Sequence, residues 1–383
     1  MKRKHINDAV PGDENKRGKK RIALRVGAII LTVVLLLVIG IAITTKHYLG
    51  RIDRYGAEDD YTMSEEEIRL MEEEILRQEQ EEAQKNQTEA TVEQTTEPQQ
   101  TQETTIPPTE ETSAPTEETT VPEETIDLSE VKPVEGDIVN ILLIGQDHRT
   151  GDNRTKSDSM ILCTINKAKN TVTLTSFLRD LYVQIPERGN NRLNAAYPIG
   201  GMWLLNETLK ANFGVEVDAN VEVDFGGFEA VVDALGGVDV EITKAEADHL
   251  EEFYEDVHLV PGMNHLNGEA ALAYSRIRYI DSDFERSNRQ RNVLSALLDG
   301  IRDANLVKLL KLMDAVLPLI KTDMTDQEIL SYAVSFYPML SDCKIITQRI
   351  PQDDAFEFAR VDGRSVLTFY PNRTREYLEA TLK

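Results

Sequence analysis

Apolar and polar positions divide the chain into stretches of different character. Residues 26–45, VGAIILTVVLLLVIGIAITT, hold no charged side chain. Twenty helical residues at about 1.5 Å each span about 30 Å, the hydrocarbon thickness of a bilayer, so this run predicts a transmembrane helix. Residues 64–85, SEEEIRLMEEEILRQEQEEAQK, set Ile68, Met71 and Ile75 on one stripe behind Ser64 and Glu67 at capping-box spacing. That pattern predicts a short, acidic, solvated helix. From Asn86 to Pro133 the chain is mostly Thr, Glu, Pro and Gln. Such a segment buries too little apolar surface to offset the entropy of ordering, and reads as a disordered stalk that lifts the following domain off the membrane.

From residue 137 onward the pattern changes. IVNILLIG, SMILCTIN and TVTLTSFL are apolar runs of strand length. GMWLLNETLKANFG and FEAVVDALGG carry helical periodicity and end on glycine. NVLSALLDGIRDANLVKLLKLMDAVLPLI holds one or two more helices, and TDQEILSYAVSFYPML opens with Thr325 and Glu328 at capping-box spacing. ALAYSRIR reads as a strand that projects Tyr274, Arg276 and Arg278 from one face. DFERSNRQ reads as the start of a helix, with Arg286 and Gln290 four apart on one side. The expectation is one α/β domain with a central mixed sheet and helices on both faces. It follows a basic tail (1–25), the membrane helix (26–45) and the acidic stalk (46–136), and itself occupies 137–383.

Charge orients this arrangement. The chain has a formal net charge of −25, spread as +8 over residues 1–57, −21 over 58–130 and −12 over the rest. Nine of the basic residues precede the apolar span. The positive-inside bias therefore keeps the N-terminus cytoplasmic and sends the domain outside as a single-pass protein of the cell membrane. A tail of about 25 residues is too short for a DNA-binding domain, and the arginines of the C-terminal domain lie across the bilayer from nucleic acid. No nucleic-acid partner is expected. Cys163 and Cys343 are the only cysteines; both sit in apolar runs and read as buried free thiols, with a single bridge as the alternative.

The chemistry concentrates in ALAYSRIRYIDSDFERSNRQR, residues 271–291, which gathers five arginines in an acidic protein. Guanidinium forks match phosphate oxygens in bidentate geometry and stay charged at any working pH. The competing reading is an internal ion-pair cluster with Asp281, Asp283 and Glu285. LLIGQDHRTGDNRTKSDSMIL places Asp147 at the end of one strand and Asp158 at the start of the next, where two carboxylates can converge on a hard cation such as Mg²⁺. LTSFLRDLYV sets Arg179 and Asp180 just beyond a strand end, where sites gather in open α/β sheets.

In order, IGQDHR, SDSMIL, SFLRDLYV, RLNAAY, DFGGF, LGGVDV, LNGEAALAYSRIR and DFERSNRQRNVL make the chain resemble the LytR-CpsA-Psr (LCP) family of envelope glycopolymer ligases. Leu178 departs from the pattern, since the family usually has proline before the Arg-Asp pair. The resemblance implies that Arg179, Arg276, Arg278 and Arg286, with Gln290, bind pyrophosphate. It implies that Asp147 and Asp158 hold Mg²⁺, with Mn²⁺ as the alternative, and that Asp283 is a further functional acid. Arg179, Asp283, Arg276 and Arg278 are thereby the catalytic candidates, with Asp180 as the reserve base; Arg289 and Arg291 receive structural or solvated roles.

The implied activity is that of a polyisoprenyl-teichoic acid–peptidoglycan teichoic acid transferase. Such a phosphotransferase moves a teichoic acid or capsule chain from a polyprenyl-pyrophosphate carrier to a peptidoglycan hydroxyl. A Gram-positive-type envelope follows from that substrate. A non-catalytic or regulatory binder of the same lipid, and a hydrolase of its pyrophosphate, are the competing readings. Parts of LNAAYPIGGMWLLNETL and VVDALGGV, Trp203 included, are candidates for the apolar groove.

Overall fold

The computed structural model describes residues 46–55, 63–71, 73, 77, 136–146, 157–254, 257–278, 280–304, 306–339 and 341–383. The expected basic tail, the membrane helix and most of the acidic stalk lie outside these residues. Among the described residues no helix is long and apolar enough to cross a membrane.

The strands are β1 (Asp53–Arg54), β2 (Ile138–Gln146), β3 (Ser157–Asn166), β4 (Thr171–Phe177), β5 (Tyr182–Ile185), β6 (Gly189–Arg192), β7 (Ala219–Val223), β8 (Val238–Ile242), β9 (Gly262–Leu266), β10 (Ile320–Thr322), β11 (Lys344–Ile350), β12 (Phe356–Val361) and β13 (Arg364–Phe369). The main helices are α1 (Ala196–Phe213), α2 (Phe225–Ala234), α3 (Lys244–Phe253), α4 (Gly268–Arg276), α5 (Asp283–Arg302), α6 (Leu306–Val316), α7 (Asp326–Phe336) and α8 (Pro371–Leu382).

The three β-rich runs form β2, β3 and β4, an antiparallel meander at the centre of a seven-stranded sheet of order β1-β10-β7-β2-β3-β4-β11. β7 runs parallel to β2 and β11 parallel to β4, so the sheet is mixed. On one face Leu142, Ile144, Met160 and Leu162 bury against Tyr197, Leu205, Leu209 and Phe213 of α1. On the other, Ile161, Val172 and Leu174 meet Leu294 and Leu298 of α5. A satellite core joins α2 to α5 with β8 and β9. α1 is interrupted at Gly200 and Gly201, where Gly201 takes a φ of 63°.

Two readings change. ALAYSRIR is not a strand: residues 268–276 form α4, capped by Asn267, whose side chain accepts from the Ala270 amide. The alanine-rich sequence behind an asparagine cap favours a helix, and this outweighs the alternation of Tyr274, Arg276 and Arg278.

The segment after residue 46 is also not free stalk. Asp53 and Arg54 pair with Lys321 and Thr322 as the outermost strand of the sheet. The Ser64–Glu67 capping box is present, yet Ile68 and Met71 pack on the main core instead of facing solvent. Two apolar positions a helical turn apart, Ile68 and Met71, suffice to dock this helix once a core lies beside it.

Candidate functional site

The site forms where the parallel strands β2 and β7 end. Gly145 pairs with Val223, and the chain then turns from β7 into α2. The Asp224 carboxylate caps α2 by accepting from the Gly227 amide at 2.7 Å. Across from it, α4 approaches so closely that a Cβ at Gly268 would lie 2.5 Å from the Glu229 carbonyl oxygen. This contact sets the end of α4 beside the start of α2, and the Arg276 guanidinium stacks over the Phe225 ring at 4.5 Å.

A cavity of about 370 Å³ opens between these elements. Leu143, Ile161, Phe228, Leu272 and Leu294 give it an apolar wall, while Arg276, Arg278, Arg286 and Gln290 stand among its polar groups beside Asp224 and Tyr254. It falls in the size range of specific ligand pockets, with a few convergent polar groups in an apolar surround. Arg276 ends α4 and Arg278 follows two residues later, so both reach the cavity from a helix terminus, not from a strand face. Arg286 and Gln290 arrive together from the first turns of α5, as their four-residue spacing predicts. Arg286 is 4% exposed.

A small adjoining recess shares Ser159, Arg286 and Gln290 with the cavity and adds Arg179 and Asp283. Asp283 accepts from Nη2 of Arg286 at 3.0 Å, pairs in charge with its Nη1 at 2.7 Å, and lies 3.7 Å from Nη2 of Arg179. Arg179 stands just beyond β4 in a turn. The Leu178 amide there donates to the Ile350 carbonyl at 3.0 Å, a bond that a proline at this position could not make. Asp180 sits between Arg179 at 3.8 Å and Arg192 at 3.5 Å. Burial pushes its carboxyl above the usual range, against the pull of both arginines. Arg192 also donates to the Ser365 carbonyl, tying this corner to β13.

The structure thus brings together Arg179, Arg276, Arg278, Arg286, Gln290 and Asp283. Asp147 lies outside the described residues, and the Asp158 side chain is likewise undescribed. The residue before Asp147, Gln146, pairs with Ser157 across a bulge, next to Ser159 at the cavity wall. Among the described residues no group of three His, Cys, Asp or Glu could hold a metal ion.

Arg289 turns away from the cavity. It is 2% exposed and bonds to Asp281 at 2.6 and 2.9 Å, to Glu246 at 3.2 Å and to the Ile277 carbonyl at 3.0 Å. Burial alone lowers its basicity, but these carboxylates more than offset that and raise it. Part of the arginine cluster therefore does neutralise the chain's own carboxylates. Arg291 is buried too, bonded to Ser287 and Asn288, and burial beside Arg349 pushes its pKa down to about 10. Neither arginine is solvated.

The apolar wall was not legible in the sequence. Trp203 stays 58% exposed and takes no part in the cavity. DFGGF and RLNAAY pointed to the region, but nothing local singled out Phe225 or Arg192. Cys163 and Cys343 form no disulfide.

A family model described as the LytR_cpsA_psr family matches residues 82–378. The chain is 33% identical over 228 residues to the polyisoprenyl-teichoic acid–peptidoglycan teichoic acid transferase TagU of Bacillus cereus, covering 58% of this chain and 72% of that protein. The structure described as TagT bound to LIIa-WTA is 26% identical with a TM-score of 0.56, over 67% of this chain and 94% of that one. The structure of YwtF (TagT) with bound octaprenyl pyrophosphate lipid is 25% identical with a TM-score of 0.51, over 67% and 93% of the two chains.

Proposed function

Because the chain belongs to the LytR_cpsA_psr family, we propose that it transfers an anionic glycopolymer, of teichoic acid or capsule type, from a polyprenyl-pyrophosphate carrier to a peptidoglycan hydroxyl. The observation that carries this reading is the apolar cavity edged by Arg276, Arg278, Arg286 and Gln290. An amphiphile with a long apolar tail and a doubly anionic head matches both of its surfaces. The relatives named for teichoic acid transfer and for bound prenyl pyrophosphate support the same substrate.

The chemistry follows from the residues. The acceptor oxygen attacks the phosphorus nearer the glycan, and the bond from that phosphorus to the bridging oxygen breaks. Polyprenyl phosphate leaves, and a phosphodiester joins glycan to wall. Negative charge shifts onto the bridging and non-bridging oxygens, where fixed guanidinium groups stabilise it without reorganising. Arg276 is held by the Phe225 ring and Arg286 by Asp283, so both are pre-oriented.

The acceptor proton goes to a carboxylate. Asp283 faces the recess beside Arg179 and Arg286 and is assigned as the base on geometry. Asp180 has the raised pKa that suits a base, but it lies behind Arg179 and instead positions Arg179 and Arg192.

Asp147 and Asp158 would hold a divalent cation, Mg²⁺ or Mn²⁺, at the β2–β3 end of the cavity. The Gln146–Ser157 pairing sets the neighbours of both residues side by side, and a few carboxylates plus phosphate oxygens suit such an ion. When bound, it would add a further positive charge on the phosphate oxygens.

We place the protein in the cell membrane, with residues 26–45 spanning it and the domain outside. The test uses the full chain in liposomes with a polyprenyl-pyrophosphate saccharide, with and without peptidoglycan fragments, in Mg²⁺ or EDTA. Release of polyprenyl phosphate that requires both acceptor and metal is the expected result. Release without acceptor would make the protein a hydrolase, and tight binding without release a carrier-binding module.

A further inference from the structure

We infer that the folded body is seated directly on the bilayer by the segment preceding the acidic stretch, with its cavity end toward the lipid. The length of the Thr/Glu/Pro-rich stretch then does not set the height of the cavity. This inference rests on the reading of residues 26–45 as the membrane span.

The register of the sheet supplies the geometry. Asp53 pairs with Lys321, Lys321 with Glu222, Glu222 with Ile144, and Ile144 with Met160, so these residues form one row across the sheet. The next row toward the cavity contains Ile320, Val223, Gly145 and Ser159, three of which line the cavity wall. Because β1 is parallel to β10, the chain enters β1 from that same end. Strands lie about 4.8 Å apart, so the entry point is about 10 Å across the sheet from Val223.

Residues 46–52 form a short path. A helical turn opens it, and Tyr48, Leu49 and Ile52 are buried at 8%, 5% and 7% exposure. The Arg51 guanidinium pairs with Asp314 of α6 at 2.6 Å, Arg54 pairs with Asp326 of α7, and the Tyr55 amide donates to the Thr322 carbonyl. Seven residues separate Thr45 from Asp53, and even fully extended they reach about 24 Å. The cavity end of the sheet therefore stays within about 24 Å of the membrane surface.

The acidic stretch does not enter this path. The chain is held on the body again where the Met63 amide donates to the Ile199 carbonyl and where Ile68 and Met71 pack on the core. It rejoins the body at Asp137, whose carbonyl accepts from the Lys167 amide. Both flanks of the stretch thus attach to the folded body, and its length cannot set the height of the cavity. Its charge, within the net −21 of residues 58–130, is repelled by an anionic lipid surface. A prenyl carrier then has only a short path from the bilayer to the cavity.

The test uses the full chain in anionic liposomes with a fluorophore at Asp53→Cys, an exposed position, and an acceptor dye at the lipid headgroups. One variant lacks residues 90–130; another carries 30 Gly/Ser residues between Thr45 and Lys46, a tether of about 30 Å r.m.s. length. Energy transfer is expected to be unchanged by the deletion and to fall sharply with the insertion. With a long-chain prenyl-pyrophosphate saccharide in the bilayer, turnover is expected to drop at least tenfold in the insertion variant only. A water-soluble short-chain analogue should be processed equally by all three proteins. Energy transfer that responds to the deletion but not to the insertion overturns the inference. If no form of the protein turns over either substrate, the transferase reading fails, and energy transfer alone still decides the seating.

Discussion

Two faces of α5 carry buried positive charge to opposite ends. Arg286 and Gln290 look into the cavity, where Arg286 meets Asp283 at the opening proposed above for the pyrophosphate. Arg289, three residues on, looks into the satellite core and meets Asp281 and Glu246. One guanidinium sits where a ligand can reach it, and the other closes a network with Asp281, Glu246 and the Ile277 carbonyl. Burial alone does not separate a binding arginine from a structural one. What separates them is whether all the nearby charge is supplied by the protein itself.

Exchanging the two roles should give opposite results. Arg289→Met leaves Asp281 and Glu246 without their cation, and removing one partner of a buried pair costs about 3–5 kcal/mol. Chemical denaturation should show that loss, with turnover of the remaining folded protein largely kept. Full stability in this variant would mean that the network holds nothing.

Leu178→Pro probes the corner that carries Arg179. It removes the amide bonded to the Ile350 carbonyl and should cost about 1–3 kcal/mol. If denaturation shows no loss, this chain tolerates the family's usual proline and the bond is incidental.

The smallest effect belongs to Asp180. Its folded pKa is raised, so the folded state binds more protons than the unfolded chain as pH rises through the carboxylate range. Asp180 therefore contributes a stability penalty that is absent at low pH and develops between the usual carboxylate value and the raised one. Relative to wild type, Asp180→Asn should gain stability as pH rises from about 4 to 7. A difference that is flat with pH would contradict the assignment.

Much of the fold was legible because its central strands are continuous, β-branched runs with clear ends, and several of its helices carry side-chain caps. Thr325 and Glu328 form the predicted box, as do Ser64 and Glu67. The misread strand at 271–278 shows the limit of period-two alternation when the small residues around it favour a helix. β1 was invisible because two residues carry no pattern, and their pairing depends on an edge formed some 270 positions away.

The polar half of the site was legible because Arg179, Arg276, Arg278, Arg286, Gln290 and Asp283 are chemically conspicuous. The apolar half was not, because Leu143, Ile161, Phe228, Leu272 and Leu294 come from five elements and look like any core residues. The partners of Arg289 were hidden in the same way, since Glu246 lies 43 residues before it.

The most direct test of the central claim compares Arg276→Ala/Arg278→Ala with wild type in acceptor-dependent release of polyprenyl phosphate, beside a denaturation curve for each. The account predicts a fall of about 10³-fold or more in turnover, equivalent to about 4 kcal/mol of transition-state stabilisation, with folding stability changed by less than about 1 kcal/mol. Turnover that survives in a protein of reduced stability would contradict it, and would mean that these arginines serve the fold and not the pyrophosphate.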